Sequence, residues 1–445
     1  MFSRKIGGYF SQWMKEKQPH PLLLRGARQI GKSCAVRAFA LEHFGENNFI
    51  EVNFERTPNL KKCFDDLNPQ TMLEKIYAST GRRILTGKTL LFLDEIQQCP
   101  QAILALRYFY EEMPGLHIIA AGSLLDFVLH SGEISIPVGR VHYIYMKPTS
   151  FDEFLGATAS KALSDWVSSM SLKQGCDDFY HELLLKELKK YFHFGGMPEV
   201  IEKLLAGASL DQVLTIQQSI LANYRDDFGK YASKAKHKYL EDTLNSIPKQ
   251  ICKKFTYAAV NPDAKSRDIK EALELLMQAG LAYKIKRANA TGLPLEAGAS
   301  DKHFKAILLD IGLVQSMLGL DKDMILAEDL HSIASGALAE QFVGQELLSN
   351  AEFYRETKLY YWDREDVSDG AEIDYLIAVG GLQIPVEVKS AKRGSLRSLR
   401  YFMDKFESPI GLRISTNKLD FQDKILSVPL YAISQIPRLV KEAMG

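Results

Sequence analysis

Gly26-Ala27-Arg28-Gln29-Ile30-Gly31-Lys32-Ser33 is a G-x-x-x-x-G-K-S stretch, and its flanks decide the fold. Before it, Pro21-Leu22-Leu23-Leu24 is an apolar run that predicts a strand. After it, Cys34-Ala35-Val36-Arg37-Ala38-Phe39-Ala40 predicts a helix. A strand–loop–helix order lets successive backbone N–H groups and a helix N-terminus converge on a polyphosphate. The glycines allow a close wrap, Lys32 reaches the β- and γ-phosphates, and the Ser33 hydroxyl ligates magnesium. Residues Gly26, Ala27, Arg28, Gln29, Ile30, Gly31, Lys32, Ser33 and Cys34 make up the expected nucleotide-binding set.

A second motif fits the first. Thr89-Leu90-Leu91-Phe92-Leu93-Asp94-Glu95 is an apolar run ending in two carboxylates, the pattern of a buried parallel strand that presents acids at its C-terminal end. Asp94 is placed to hold magnesium through water, and Glu95 to orient and polarise the attacking water. Binding alone needs one carboxylate, whereas hydrolysis benefits from a base. A third apolar strand, Leu116-His117-Ile118-Ile119-Ala120-Ala121-Gly122-Ser123, ends in Ser123, whose hydroxyl is placed to sense the γ-phosphate.

Bulk properties narrow the partners. A chain of 445 residues has material for two or more domains, and its 25% charged and 46% hydrophobic content is that of a soluble globular protein. Lys plus Arg equals Asp plus Glu, so no global basic field draws nucleic acid, and any such contact rests on a local patch. The start has no uninterrupted apolar segment of a secretory signal, and no apolar stretch is long enough to cross a bilayer. Cys34, Cys63, Cys99, Cys176 and Cys252 are scattered without metal-ligand spacing and read as reduced thiols of a cytosolic protein.

Residues 1–155 alternate helical and apolar-strand patterns, as a parallel α/β sheet requires. Ile50 to Phe54 and Val141 to Met146 supply further strands, and Ser150 and Glu153 are spaced as a capping box. Residues 156–235 are helical, broken at Gly195-Gly196-Met197-Pro198. In 236–324, a helix from Ser266 stops at Gly280 and leads into the strand Leu281 to Lys286, the running order of a winged helix. Lys265, Arg267 and Lys270 there are diluted by Asp263, Asp268, Glu271 and Glu274, which favours packing or protein docking over DNA contact. From 325 on, a helix from Ile333 to Leu348 precedes strand-like runs at Leu359 to Trp362, Glu372 to Ala378 and Gln383 to Lys389, with Gly380-Gly381 turning the last two into a hairpin.

That hairpin carries a second constellation. Glu387 and Lys389 share a strand face, and the turn brings Asp374 beside them. This is the D…E-x-K arrangement of metal-dependent nucleases, with Glu340 on the preceding helix as a further ligand.

Together these motifs resemble prokaryotic AAA-type ATPases joined to a C-terminal domain of unknown function with a restriction-endonuclease-like core. The resemblance runs through the phosphate loop, Leu93-Asp94-Glu95-Ile96-Gln97, Ala121-Gly122-Ser123, Gly139-Arg140, Phe151-Asp152-Glu153-Phe154, Gly195-Gly196-Met197-Pro198, Tyr361-Trp362, Glu372-Ile373-Asp374 and Val386-Glu387-Val388-Lys389. The chain is also similar to archaeal-type STAND ATPases in its phosphate loop and Gly-Gly-x-Pro turn. The resemblance implies an α/β protein: a P-loop parallel sheet (1–155), a helical lid (156–235), a winged-helix segment (236–324) and a nuclease-like domain (325–445). It implies ATP and Mg²⁺ as ligands, and it allows a homo-oligomer. Ser33 stands where threonine is frequent, with the same hydroxyl. An arginine like Arg140 reaches a γ-phosphate in related machines, often on a neighbouring subunit; the other reading pairs it to a local carboxylate. Arg28 is expected to pack or pair outward.

Three functions follow as expectations. The first is an ATP-hydrolysing switch or motor that repositions the C-terminal domains. The second is an ATP-gated nuclease acting on DNA or RNA through Asp374, Glu387 and Lys389. The third is a nucleotide-locked scaffold that docks a protein partner.

Overall fold

The computed structural model describes residues 2–123, 125–130, 139–230, 232–319, 336–364, 370–389 and 395–445. The chain divides into two compact units. The first comprises Met1–Lys147 with Gln278–Gly280 and Glu352–Glu356; the second comprises Pro148–Met277, Leu281–Ala351 and Thr357–Gly445.

The first unit is built on five parallel strands: β1 (Leu22–Arg25), β2 (Phe49–Asn53), β3 (Leu90–Asp94), β4 (His117–Ala121) and β5 (His142–Tyr145), in the order β2-β3-β4-β1-β5. Burial follows position. β3 and β4, inside the sheet, are buried at every residue, whereas β2 and β5, at its edges, are buried only in part. That is why the inner strands are near-continuous apolar runs. One face is covered by α1 (Ile6–Trp13) and α2 (Lys32–His43), where the Phe10 and Phe39 rings meet at 5.3 Å. On the other face lie α3 (Pro69–Thr80) and α4 (Pro100–Glu112). α4 buries Ala102, Ile103, Ala105, Leu106 and Phe109, a helical stripe packed into a core with Phe54, Phe64, Leu91, Leu93 and Ile118. A short α5 (Leu125–His130) follows β4.

Because the strands are parallel and in register (Asn53 beside Asp94, Asp94 beside Ala121, Leu24 beside Ala121), their C-terminal ends line one edge of the sheet. In open α/β sheets that edge is where ligands bind. The phosphate loop, Asn53, Asp94-Glu95 and Gly122-Ser123 all leave from it.

The second unit begins with helices: α6 (Phe151–Thr158), α7 (Lys161–Ser169), α8 (Asp178–Phe194), α9 (Pro198–Leu205), α10 (Leu210–Asp226), α11 (His237–Gln250) and α12 (Ser266–Gln278). The capping box at α6 is formed in both directions, with Ser150 N–H donating to Glu153 at 3.0 Å and Glu153 N–H to the Ser150 hydroxyl at 3.4 Å. Strands β6 (Ala282–Ala288) and β7 (Ala299–Leu308) are followed by α13 (Ile311–Met317) and α14 (Gly336–Ser349). The start expected for α14 at Ile333 lies outside the described residues. Then come β8 (Leu359–Asp363), β9 (Glu372–Val379), β10 (Leu382–Val388), α15 (Arg397–Lys405), β11 (Gly411–Ser415), β12 (Asp420–Gln422), β13 (Ile425–Pro429) and α16 (Ile436–Met444).

All eight strands form one mixed sheet, ordered β12-β13-β11-β10-β9-β8-β6-β7. The strand expected at Leu281 to Lys286 is β6, which pairs with β7 and, in parallel, with β8, so it extends the C-terminal sheet. The physical reason is edge pairing, since an unpaired β6 would leave a row of backbone groups unsatisfied. β9 and β10 turn through Gly380-Gly381, both at positive φ as a two-residue hairpin demands.

Polar side chains buried on α14 serve backbone elsewhere. Gln341 bonds both the N–H and the C=O of Leu308, Gln345 takes the Ile311 N–H at 2.8 Å, and Glu346 takes the Phe151 N–H at 2.9 Å. The Gly195-Gly196 turn is fixed by Asp310, which accepts the Gly196 N–H at 2.5 Å and caps α13 through Leu313. A β-carbon at Gly195 would overlap the Asp310 carboxyl, which explains the glycine. Burial pushes the Asp310 carboxyl up to about 6 against those backbone donors.

Candidate functional site

At the edge of the first sheet, the loop after β1 turns back on itself. Gly26 has φ +138° and a β-carbon there would overlap the Met146 carbonyl, so only glycine fits. Gly31, at φ +87°, opens α2. Lys32 is buried, and its ammonium donates to the carbonyls of Gly26 and Ala27, both at 2.7 Å. Burial lowers its pKa to about 8, outweighing the pull of Glu95 and Asp94, and Arg28 lowers it further. Arg28 is half-buried and Cys34 is exposed.

Ser33 donates from its hydroxyl to Asp94 Oδ1 at 3.0 Å, and Asn53 donates from its amide to Oδ2 at 3.0 Å. Asp94 is raised above its ordinary pKa, chiefly by burial. A hydroxyl beside a buried carboxylate is a donor set for a hard cation, so Ser33 and Asp94 fit magnesium. Nearby, Arg37 forks onto Glu51 at 2.9 and 2.6 Å and lies 3.7 Å from Asp94.

Glu95 sits at φ +51°, a left-handed conformation that a non-glycine residue rarely adopts. That backbone turns its carboxylate toward β4. Its Oε2 accepts the Gln97 amide at 2.6 Å and the Ser123 hydroxyl at 3.4 Å. The structure thus brings together Lys32, Ser33, Asp94, Glu95 and Ser123. It does not bring Arg140 to them: this arginine is 43% exposed and pairs with Glu111 on α4 at 2.8 Å, alongside Arg107. Asn53 and Gln97 were not foreseen as site residues. Their signal was positional, since each stands at or just after a strand end next to the acids.

The second constellation also assembles, around a residue the sequence reading missed. Asp374 stands one step past the Tyr375–Val386 pair, so it lies beside Glu387. Asp374 Oδ2 accepts the Val388 N–H at 2.7 Å, and Lys389 pairs with Glu387 Oε1 at 2.5 Å. Between these acids and Glu340 of α14 projects Lys305 from β7. Its ammonium lies 2.9 Å from Glu340, 2.5 Å from Glu372 and 4.0 Å from Asp374. Burial raises the pKa of Asp374 and of Glu387, against the attraction of Lys305 and Lys389. Among the described residues, no group of three or more His, Cys, Asp or Glu side chains is arranged to hold a metal ion.

Comparison with known proteins bears on the first site. Residues 18–155 match the AAA domain model. The AAA domain spans the first sheet and its phosphate loop, so the N-terminal part is of the AAA-type ATPase kind. Residues 185–324 and 335–433 match two domains of unknown function. No curated protein matches the chain. Among solved structures, a Walker-type ATPase of Pyrococcus abyssi is 15% identical, covering 72% of this chain and 96% of its own, with a TM-score of 0.45. The RuvB Holliday-junction branch-migration motor of Thermotoga maritima is 16% identical over 64% and 90%, with a TM-score of 0.29. The Orc1 protein of Aeropyrum pernix in complex with DNA is 11% identical over 71% and 91%, with a TM-score of 0.27. At these scores the likeness carries no argument about function. Among the described residues, no helix is long and apolar enough to cross a membrane.

Proposed function

We propose that the AAA domain binds ATP with magnesium and hydrolyses it as a switch or motor that acts on the second unit. One observation carries this reading: Glu95 is held in a strained backbone with its carboxylate oriented by Gln97 and Ser123, next to Lys32, Ser33 and Asp94. A loop that only grips nucleotide has no need of a second, oriented acid.

In this reading the loop amides and Lys32 take the β- and γ-phosphates, Lys32 exchanging the Gly26 and Ala27 carbonyls for phosphate oxygens. Ser33 and Asp94 would hold magnesium, which would neutralise phosphate charge when bound. Glu95 accepts the proton of the attacking water, and Ser123 reports the γ-phosphate to β4. The test is ATP turnover by the purified chain. Glu95→Gln is expected to keep ATP binding and lose about 100-fold or more in turnover, as loss of a general base does. Unchanged turnover in Glu95→Gln sinks the proposal. Stimulation of the wild type by single-stranded DNA, duplex DNA or RNA would name the partner class, and a flat response to all three assigns the output to a protein partner.

The nuclease reading draws support from one feature, the hairpin that sets Asp374 beside Glu387 and Lys389. It predicts Mg²⁺- or Mn²⁺-dependent cleavage of DNA or RNA that is lost in Lys389→Ala.

A further inference from the structure

The buried side chains of the second unit include one cation in an unusual place. Lys305 belongs to the stretch of β7 that is buried at every residue from Phe304 to Leu308, and it is 1% exposed. Lysine is almost never buried so completely unless paired. Here the pairing is threefold, with Glu340 from α14 and with Glu372 and Asp374 from β9. The Tyr361 ring adds a fourth wall, its centroid 5.3 Å from the ammonium.

Glu340 and Asp374 of this cluster, with Glu387 beside them, are the carboxylates that a D…E-x-K centre would offer to a metal, and oxygens of all three are engaged in another way. Glu340 Oε1 is on Lys305. Asp374 gives one oxygen to the Val388 N–H and turns the other toward Lys305. Glu387 gives Oε1 to Lys389, while its buried Oε2 has no hydrogen-bond partner. With Glu340 Oε1 and Glu372 Oε1 on the ammonium and Glu387 Oε1 on Lys389, a hard cation, which wants about six oxygen ligands, would have to displace both lysines and would be repelled by Lys305.

We infer that Lys305 is the resident cation of the second site, standing in the place a divalent metal would take, so that the acids of this domain form a metal-free ionic core. The inference does not rest on ATP hydrolysis by the first unit, and its failure would leave that reading untouched; it stands against the metal-dependent nuclease reading of Asp374, Glu387 and Lys389.

The experiment is Mn²⁺ titration of the full chain without nucleotide, followed by electron paramagnetic resonance of free Mn²⁺. It is done in an Asp94→Asn background, which removes the carboxylate placed to hold a metal in the first site. The Lys305-intact protein is expected to bind no Mn²⁺ tighter than about 1 mM, whereas Lys305→Met gains one site at least tenfold tighter and its thermal midpoint rises with Mn²⁺. Should Lys305→Met not fold, the charge-balanced Lys305→Met/Glu340→Gln double variant is expected to fold and to bind no metal. A Mn²⁺ site in the Lys305-intact protein, removed by Asp374→Asn or Glu387→Gln, would overturn the inference. So would a folded Lys305→Met that gains no metal site, or a double variant that stays unfolded.

Discussion

The two acid–lysine sites of this chain use the same residue types to opposite ends. In the first unit, Lys32 faces two neutral carbonyls while the nearby Asp94 is held by a hydroxyl and an amide. Its ammonium is desolvated without a bound counter-charge, which is why its pKa falls to about 8. In the second unit, Lys305 faces carboxylates directly, and despite its burial their attraction holds its pKa above the ordinary lysine range. A buried lysine on carbonyls is ready for an incoming anion; a buried lysine on carboxylates is already neutralised. The motif letters alone do not separate these states, because the deciding partner lies elsewhere in the chain.

The largest effect should come from removing the neutralised cation. Lys305→Met leaves Glu340, Glu372 and Asp374 facing one another without compensation, and breaking such a buried pair costs about 3 to 5 kcal/mol. Lys389→Met leaves one buried carboxylate, Glu387, without its partner, but this lysine is 28% exposed and water can take its place, so a smaller loss of about 1 to 3 kcal/mol is expected. Thermal unfolding of the two variants side by side checks the contrast, and equal losses would erase it.

Next is Lys32→Ala, expected to weaken ATP binding by about 10- to 100-fold, the worth of charged hydrogen bonds to phosphate, in equilibrium titration with magnesium present. Lys389→Ala and Lys305→Met, if folded, should leave that affinity unchanged. A nucleotide effect from either would mean that the division of labour between the lysines is wrong.

Much of the first site was legible because it is local. The glycines, Lys32 and Ser33 are contiguous, and Asp94 and Glu95 end an apolar run that reads as an inner strand. The capping box at Ser150 and the Gly380-Gly381 turn were legible for the same reason: each is fixed by residues three or fewer apart. What could not be read was set by strand order. Asn53 reaches Asp94 only because β2 neighbours β3, and Lys305 reaches Glu340 and Asp374 only because β7 and β9 belong to one sheet with α14 packed nearby. The strand expected at Leu281 to Lys286 is present, but its parallel pairing with β8 follows the same logic, since a local pattern does not say which edge a strand joins. Arg140 was left open between phosphate and carboxylate, and in this chain it pairs with Glu111.

A smaller effect sharpens the description of Lys32. ATP brings negative charge to the ammonium and so raises its pKa from about 8. At about pH 9 the free protein should therefore take up nearly one proton on binding ATP, and at about pH 7 almost none, which calorimetry in buffers of different ionisation enthalpy measures. The stability sign runs the other way in the free protein. The folded pKa lies below the unfolded value of 10.5, so the unfolded chain holds more protons between about 8 and 10.5, and stability from this group rises with pH across that window. The difference between wild type and Lys32→Met isolates it. No proton uptake at pH 9 would mean that the ammonium is not poised as described.

The smallest effect belongs to Gln97, whose amide holds Glu95 Oε2 at 2.6 Å. Gln97 acts through Glu95, so Gln97→Ala should reduce kcat about tenfold, the value of one net hydrogen bond, and leave KM for ATP near the wild-type value. Gln97→Glu should do worse, because a second carboxylate beside Glu95 repels it and no amide is left to hold its Oε2. A purely structural role for Gln97 would lower stability in both variants and leave the ratio of kcat to KM unchanged. The two substitutions thus distinguish an oriented base from an acid that merely ends a strand, a distinction the second unit does not offer, because there the acids face lysines and a backbone N–H instead of a side-chain amide.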